Sequence, residues 1–288
     1  MSAVASTVDG SSRPALVATI GLTACALIGF AANSLLCRLA LAPGLIDAAS
    51  FTSIRICAGA ATLMLLARGG LSGGSWGSAL ALFAYAILFS VAYQRIGAAT
   101  GALVLFGAVQ VTMVGAGLRA GERPRAVEWS GLAIAVLGLV ALSAPGLASP
   151  DLTGSVAMIM AGIAWGVYSL RGRRAGDPLA TTAGNFVRCV PLALVASLVL
   201  VSEVHISPLG VVYAVASGAL ASGVGYSLWY AALRGLTATR AAIAQLAVPV
   251  IAALAAVPLL DESITWRLML AGSAVLAGVG LACLAPKR

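Results

Sequence analysis

Ten apolar runs, each about as long as a bilayer is thick, follow one another along the chain with only short connections between them. A helix needs about 20 apolar residues to cross the hydrocarbon core of a membrane. The runs cover approximately residues 16–37, 48–67, 76–94, 97–117, 127–144, 155–171, 181–201, 209–231, 237–258 and 267–285. Lipid offers no partner to backbone N–H and C=O groups, so such runs fold as helices. The sequence therefore predicts an all-α membrane protein with ten transmembrane helices.

The scarcity of charge indicates the same fold class. Only 9% of the residues are charged and 61% are hydrophobic, whereas a soluble domain carries about 25% charged residues. So few charged side chains cannot coat a surface that faces water. The net charge of +8 comes from basic residues scattered between the apolar runs. We therefore expect membrane lipids, and no nucleic acid, around this chain.

Basic residues are distributed unequally between the two sides of the predicted bundle. If the N-terminus is inside, twelve basic residues lie on the cytoplasmic side and three, Arg38, Arg95 and Arg267, on the outer side. Lys and Arg accumulate in cytoplasmic loops. The polar segment 1–15 lacks the pattern of a cleaved signal peptide, so the first run is a retained span. We predict that both termini are cytoplasmic and that the protein is a multi-pass protein of the bacterial inner membrane.

A weak internal repeat divides the chain into two halves of five spans, residues 1–144 and 145–288. The motif Phe30-x-x-Asn33-Ser34-x-x-x-Arg38 corresponds to Trp165-x-x-Tyr168-Ser169-x-x-x-Arg173. Further corresponding residues are Asp47 and Asp177, Arg55 and Arg188, Tyr93 and Tyr230, and Gly121-Glu122 and Asp261-Glu262. An odd number of spans inverts the second half relative to the first, as in many secondary transporters. The repeat predicts two inverted five-helix units that together form one transport domain.

Small residues four positions apart predict close contacts between helices. Such pairs occur at Gly97 and Gly101, and again at Gly162 and Gly166. In lipid, the burial of apolar surface does not drive helices together, and small residues let their backbones approach closely. We therefore expect these two pairs to lie in helix–helix interfaces.

These features together resemble the drug/metabolite transporter superfamily, and within it the ten-helix EamA-type exporters. The resemblance rests on the five-plus-five organisation, the aromatic-x-x-polar motif in spans one and six, an arginine early in spans two and seven, and Pro249 within span nine. It covers nearly the whole chain, and it implies a central cavity walled by spans one, three, four, six, eight and nine. One departure is Gln110, which stands where the repeat would place the counterpart of Pro249.

Polar and aromatic side chains inside the spans are the candidate substrate contacts. Polar groups are costly in hydrocarbon and mark functional sites there, and aromatic rings suit amphipathic solutes and ammonium groups. The candidate substrate-binding residues are Asn33, Tyr85, Phe89, Gln110, Trp165, Tyr168, Tyr226 and Gln245. For Asn33, Gln110 and Gln245 the alternative is a hydrogen bond between helices. Near the span ends, Tyr93, Trp229 and Tyr230 favour an interfacial aromatic belt instead.

Three residues inside the spans are predicted to have structural or gating roles. They are Arg55, Arg188 and Pro249. Each arginine lies about seven residues from its membrane edge, roughly 10 Å at the rise of an α-helix. We expect Arg55 in the outer half and Arg188 in the inner half of the bilayer. Each should donate hydrogen bonds to helix carbonyls or polar groups near its own end of the cavity.

The chain carries few groups for chemistry. All nine acidic residues lie outside the predicted spans or at their edges, and the single histidine, His205, lies in a predicted outer loop. Gly73-Gly74-Ser75-Trp76-Gly77 matches the nucleophile-elbow pattern but lacks the strand-to-helix context that this motif needs. We therefore expect no enzyme, no catalytic residue, no metal site and no cofactor. Because no acidic residue lies deep in a span, facilitated export without proton coupling is an open option.

The sequence as a whole predicts an exporter of amino acids, including aromatic ones, and related small metabolites. It would act as a monomer of broad specificity by alternating access. The alternatives in the same class are a drug or organic-cation exporter and a nucleotide-sugar or sugar-phosphate carrier. The first should carry a buried carboxylate, and the second should present basic residues to a dianion, for which only Arg55 and Arg188 are candidates. An intramembrane enzyme or a receptor is the alternative of a different class.

Overall fold

A computed structural model describes residues 12–68, 73–144, 151–199, 204–260 and 263–284. Ten helices in this part are long and apolar enough to cross a membrane. They are α1 (Ser12–Leu41), α2 (Ala48–Leu66), α3 (Trp76–Tyr93), α4 (Ala98–Arg119), α5 (Ala126–Ser143), α6 (Leu152–Gly172), α7 (Pro178–Val199), α8 (Pro208–Leu233), α9 (Ala238–Leu259) and α10 (Trp266–Cys283). The described ranges contain no strand, only an isolated bridge between Ile46 and Ile206. The predicted all-helical fold with ten spans is therefore confirmed. Residues 261–262 of the repeat lie outside the described residues. The predicted boundary between the halves, after residue 144, borders another segment outside them, residues 145–150.

Polar caps begin many of the helices. Asp47, Ser75, Asp151, Ser207 and Thr265 each accept a hydrogen bond from the backbone N–H three residues further along the chain. These caps satisfy N–H groups that the first turn of a helix leaves unpaired. The caps therefore fix where each of these spans starts, although the apolar runs themselves carry no such signal.

Two groups of polar contacts define the two ends of the bundle. At one end, which we call the Asp47 end, the side chain of Asp47 accepts the backbone N–H of His205 at 3.0 Å. At the other, the Glu122 end, the carboxylate of Glu122 accepts the N–H groups of Ala238 and Thr239 at 2.7 and 3.1 Å. It also pairs with Arg173 at 3.2 Å. Helices α1, α3, α5, α7 and α9 finish at the Asp47 end, and the other five finish at the Glu122 end.

Four sets of helix contacts build the bundle. Helix α1 packs against α8 and α9, α6 packs against α3 and α4, α2 lies between α7 and α8, and α5 pairs with α10. A Cβ atom on Gly162 would lie 2.6 Å from the carbonyl oxygen of Leu105, and one on Gly166 would lie 2.8 Å from Thr112. The predicted close approach is thus confirmed for this pair. It is wrong for Gly97, which has nothing within 4 Å.

Glycines also set the contact between α5 and α10. A Cβ atom on Gly131 would lie 2.5 Å from the carbonyl oxygen of Gly278, and the reverse distance, from Gly278 to Gly131, is also 2.5 Å. Further along the interface, a Cβ atom on Gly138 would lie 2.9 Å from Val275. The two backbones therefore touch, which a larger side chain at either glycine would prevent.

Two helices depart from regular α-helix near the middle of the bundle. Helix α8 is π-helical over Ser217–Val224. Helix α9 is interrupted at Leu246, whose N–H turns back to the carbonyl of Ile243 at 3.0 Å. Pro249 follows three residues later, and proline removes an N–H donor and displaces the preceding turn. Helix α4, which carries Gln110 at the corresponding place, is continuous.

The contact between α5 and α10 yields a matched pair of substitutions two residues apart on one helix. Gly278→Ala should lower the free energy of unfolding by about 1–3 kcal/mol, because the new methyl group collides with the backbone of α5. Gly280→Ala should not, since nothing lies within 4 Å of a Cβ atom there. Thermal unfolding of both variants in detergent measures the difference. Equal loss of stability in the two variants would contradict this account of the interface.

Candidate functional site

Nine aromatic side chains meet in the middle of the bundle. Every one is at most 8% exposed, and ring centroids of neighbours lie 4.8–6.5 Å apart over most of the contacts. We call this group the aromatic cluster, and it consists of Phe30, Tyr85, Phe89, Trp165, Tyr168, Phe186, Tyr226, Trp229 and Tyr230. Its members come from α1, α3, α6, α7 and α8. The three contacts of Phe30 are edge to face and the other ring pairs are tilted, and such aromatic packing is cohesive and apolar.

The polar edges of these rings are hydrogen-bonded to neighbouring helices. The indole Nε1 of Trp165 donates to Oε1 of Gln245 at 2.5 Å, and that of Trp229 donates to Ser169 at 3.0 Å. The hydroxyl of Tyr230 donates to the backbone carbonyl of Tyr168 at 3.1 Å. Buried Trp and Tyr side chains normally find such partners. The bonds fix the orientation of the rings and join α6 to α8 and α9.

Gln110 and Gln245 lie at the interruption of α9. Nε2 of Gln110 donates to the carbonyl oxygen of Ala242 at 2.7 Å. In a regular helix that carbonyl would accept the N–H of Leu246, which here turns to Ile243 instead. Gln110 thus replaces the hydrogen bond that the interruption removes. The alternative interpretation of both glutamines, hydrogen bonding between helices, describes these contacts, and a substrate role for them stays a prediction.

Asn33 links α1 to the π-helical part of α8. Its Oδ1 accepts a hydrogen bond from the hydroxyl of Ser217 at 2.7 Å, and the thiol of Cys37 lies 3.8 Å away. Both Asn33 and Ser217 are buried. Since α1 and α8 belong to different predicted halves, this bond is one of the polar links between them.

Arg55 reaches into the aromatic cluster from α2. Its Nε donates to Ser222 at 2.9 Å and its Nη2 to the hydroxyl of Tyr226 at 2.5 Å. The guanidinium carbon lies 5.6 Å from the centre of the Tyr85 ring. The expected hydrogen bonds to polar groups are therefore present. However, the guanidinium lies among the rings of the cluster, whereas the sequence predicts it near the end of the cavity from which α2 starts.

Arg188 lies at the Glu122 end and holds the segment before α3. Its Nη1 donates to the carbonyl oxygens of Gly73 and Gly184 at 3.0 and 2.8 Å. One turn earlier, Oδ1 of Asn185 accepts the backbone N–H of Ser75 at 2.9 Å. A structural arginine is expected to make such contacts with helix and loop carbonyls. Arg55 instead donates to side-chain hydroxyls.

Two pockets flank the aromatic cluster at opposite ends of the bundle. A cavity of about 280 Å³ near the Asp47 end is lined by α1, α3, α4, α5 and α9, including Tyr93, Phe106 and Pro249. A cavity of about 860 Å³ near the Glu122 end is lined by α3, α4, α6, α7 and α8, including Ser78 and Arg171. On α3, Tyr85 lies about midway between Ser78 and Tyr93, so the cluster stands between the two cavities. None of the eight predicted substrate-binding residues lines either cavity, because the rings pack against one another.

Sequence reasoning missed four members of the cluster, Phe30, Phe186, Trp229 and Tyr230. The interfacial-belt interpretation is wrong for Trp229 and Tyr230, which are fully buried and hydrogen-bonded to α6. Phe30 contacts Trp165, Tyr226 and Trp229 edge to face. Its correspondence to Trp165 in the repeat is the signal that could have placed it in the site.

A buried ion pair at the Glu122 end also escaped the sequence analysis. Glu128, in the first turn of α5, accepts a hydrogen bond from Nε of Arg240 at 2.8 Å, and both side chains are buried. Glu128 therefore lies within α5, two residues after its start. The pair joins α5 to α9 and lies away from the aromatic cluster.

Comparison with known proteins identifies the family of this bundle. Residues 152–284, from the start of α6 to just beyond α10, match the EamA-like transporter family. An uncharacterised protein of Pseudomonas aeruginosa is 48% identical over 279 residues, which cover 93% of this chain and 95% of that protein. The chain belongs to the EamA-like transporter family. It is therefore a multi-pass membrane transporter of the drug/metabolite type.

More distant matches share part of the chain or the fold alone. The threonine/homoserine exporter RhtA of Salmonella typhimurium is 33% identical over 161 residues, which cover 53% of this chain and 53% of RhtA. A solved crystal structure of a protein with 23% identity superposes with a TM-score of 0.73 and covers 92% of this chain and 99% of that one. That likeness shows a common fold.

The interruption of α9 can be tested through Gln110. Gln110→Leu should lower the free energy of unfolding by about 1–3 kcal/mol, because the carbonyl of Ala242 loses its donor in an apolar interior. Thermal unfolding in detergent measures this loss. Thr112→Val is the matched control on the same helix, because its hydroxyl bonds only to the carbonyl of Ala108 one turn earlier. A Gln110→Leu protein as stable as the control would show that Ala242 needs no partner from α4.

Proposed function

We propose that this protein exports amino acids, including aromatic ones, and related small metabolites across the inner membrane of a bacterium. The observation that carries the proposal is the aromatic cluster, which stands between two cavities near opposite ends of a membrane-spanning bundle. Membership of the EamA-like transporter family supports transport. The similarity to a threonine/homoserine exporter supports amino acids as the substrate class.

Alternating access by two inverted five-helix repeats is the mechanism we propose. The helix contacts support it, because they keep their pattern when each helix is exchanged for its counterpart five spans away. The contacts of α1 with α8 and α9 become those of α6 with α3 and α4, and α2 with α7 and α5 with α10 map onto themselves. The family match over α6–α10 supports a unit of five helices. Such inverted units rock against each other around a central site.

The aromatic cluster would be the barrier and the binding site of this cycle. In the present conformation the rings contact one another and separate the two cavities. Movement of α1, α3, α6 and α8 relative to one another would part them, and a solute would take the place of the ring–ring contacts. Aromatic faces attract both apolar side chains and ammonium groups. Pro249 and the interruption at Leu246 lie beside the smaller cavity and would serve as a hinge.

The charges near the cluster favour this substrate class over the alternatives. An organic-cation exporter needs a buried carboxylate, yet a cation, Arg55, lies beside the cluster and is hydrogen-bonded to Tyr226. A sugar-phosphate carrier needs several basic groups around a dianion, and Arg188 is held by carbonyls of Gly73 and Gly184. A small zwitterion fits one arginine among aromatic rings better than either of these solutes.

We further propose that the Glu122 end faces the cytoplasm. With its native cysteines replaced by alanine, a protein carrying Arg174→Cys should react with an impermeant maleimide only after spheroplasts are opened. One carrying His205→Cys should react in intact spheroplasts, since both side chains are exposed at opposite ends of the bundle. The reason is the excess of basic residues at the Glu122 end. Labelling of Arg174→Cys in intact spheroplasts would reverse the orientation.

The transport activity itself can be measured as efflux from proteoliposomes. Vesicles preloaded with radiolabelled amino acids should lose them faster than protein-free vesicles, with no imposed pH gradient, because no acidic residue lies deep in a span. Trp165→Ala should reduce this efflux at least tenfold, since the indole contacts four other rings and Gln245. Efflux no faster than from protein-free vesicles for every amino acid tested would refute the proposed function.

A matched control separates the site from general damage to the bundle. Trp266→Ala removes an indole that is 75% exposed at the start of α10. It should leave efflux within about twofold of the wild-type rate, because a side chain on the outside of the bundle contributes little to packing. If both substitutions reduced efflux equally, the aromatic cluster would have no special part in transport.

A further inference from the structure

Arg55 carries a positive charge that no acidic side chain among the described residues pairs with. Its side chain is 1% exposed, and arginine remains charged in any environment that a protein provides. The ion pairs between described residues, Glu122 with Arg173 and Glu128 with Arg240, lie at the Glu122 end of the bundle. Burying a charge is strongly unfavourable unless an opposite charge compensates it. A charge kept in this position is therefore expected to serve a function.

The guanidinium is held in place by neutral groups and retains an unpaired donor. Ser222 and Tyr226 take the hydrogen bonds of Nε and Nη2, and the Tyr85 ring lies over the group. Nη1 is buried and has no hydrogen-bond partner in the described part of the chain. Buried donors are nearly always paired in folded proteins. The neutral partners of Arg55 orient its guanidinium. They leave the positive charge without a counter-charge and Nη1 without an acceptor.

A second buried polar group without a partner belongs to the aromatic cluster. The hydroxyl of Tyr168 is also buried without a hydrogen-bond partner among the described residues. The rings of Tyr168 and Tyr226 lie 6.3 Å apart, and Tyr226 is the residue to which Arg55 donates. Nη1 of Arg55 and the hydroxyl of Tyr168 are thus two buried polar groups without a partner, on side chains that both neighbour Tyr226. A tyrosine hydroxyl can donate or accept, whereas the guanidinium only donates and is always charged, so Arg55 is the group here that is complementary to an anion.

The backbone around Arg55 is shaped to enclose it. The π-helical segment of α8 contains Ser222 and ends two residues before Tyr226. A Cβ atom on Gly218, in the same segment, would lie 2.1 Å from the carbonyl oxygen of Arg55, so α2 and α8 touch there. π-helical segments occur frequently at functional sites. Here the segment brings both partners of Arg55 to the junction of the two predicted halves.

We propose that Arg55 binds the carboxylate of the transported solute, with the hydroxyl of Tyr168 as a second donor. This inference rests on the proposed function and narrows it to solutes that carry a carboxylate, such as amino acids and organic acids. Arginine recognises a carboxylate through parallel N–H bonds to its two oxygens. The surrounding rings then contact the rest of the solute, and the positive charge repels organic cations that lack an acidic group. Arg55 is thus a substrate-binding residue, whereas the sequence predicts a structural or gating role for it.

Pairs of ligands that differ only in the carboxylate test this assignment. Thermal unfolding of the purified protein is followed with L-phenylalanine and its amide, and with L-threonine and its amide. Both acids should stabilise the wild type, and the amides should need at least tenfold higher concentrations for the same shift. Arg55→Gln should remove this preference. The comparison on the wild type requires no variant, so it remains decisive even where Arg55→Gln does not fold.

Arg188→Gln is the matched control, because Arg188 donates only to backbone carbonyls near the Glu122 end. It should reduce stability and keep the preference for acids over amides. Equal stabilisation by acid and amide, no stabilisation by either, or a preference that persists in Arg55→Gln would overturn the carboxylate role. The efflux assay distinguishes the two proposals. A protein that prefers the acids in binding but does not export them would refute the proposed function and retain the role of Arg55.

Discussion

The need to pair every backbone N–H and C=O group within hydrocarbon governs this structure. Ten helices meet it over most of their length, and the two departures from regular helix are both covered by protein. At the interruption of α9, Gln110 supplies the donor that the carbonyl of Ala242 has lost. At the π-helical part of α8, the backbone lies against Arg55 and Gly29 of neighbouring helices. Irregular backbone is thus found where other helices shield it from lipid, and both instances adjoin the candidate site.

Small residues at helix contacts make room for large residues in the centre. Gly131 and Gly278 bring α5 and α10 into backbone contact, and Gly162 does the same for α6 and α4. The aromatic rings instead come from faces of α1, α3, α6 and α8 that converge in the middle of the bundle. Because these rings contact one another closely, the centre is sealed while cavities remain at both ends. This arrangement is the one on which the proposed alternating access depends.

Few polar side chains lie inside the spans, and most join helices far apart in sequence. The bond between Asn33 and Ser217 connects α1 with α8 of the other predicted half. The bond between Trp165 and Gln245 connects α6 with α9. Arg55 belongs to this set by position but differs in charge, since its partners are neutral. That difference separates a side chain that holds helices together from one that is suited to a charged solute.

The sequence by itself determined the number of spans, their order and the family, because crossing a bilayer requires a local run of apolar residues that composition reveals. It also pointed to eight of the residues in or beside the cluster, since polar and aromatic residues stand out within such runs. The tertiary structure decided which of these residues meet. Trp229 and Tyr230 are buried against α6 and do not form an interfacial belt, and the guanidinium of Arg55 reaches Tyr226 across 171 positions of sequence. Which face of a helix turns inward, and which distant side chain it contacts, depends on the neighbouring helices. The sequence of a single span does not specify which helices will pack against it.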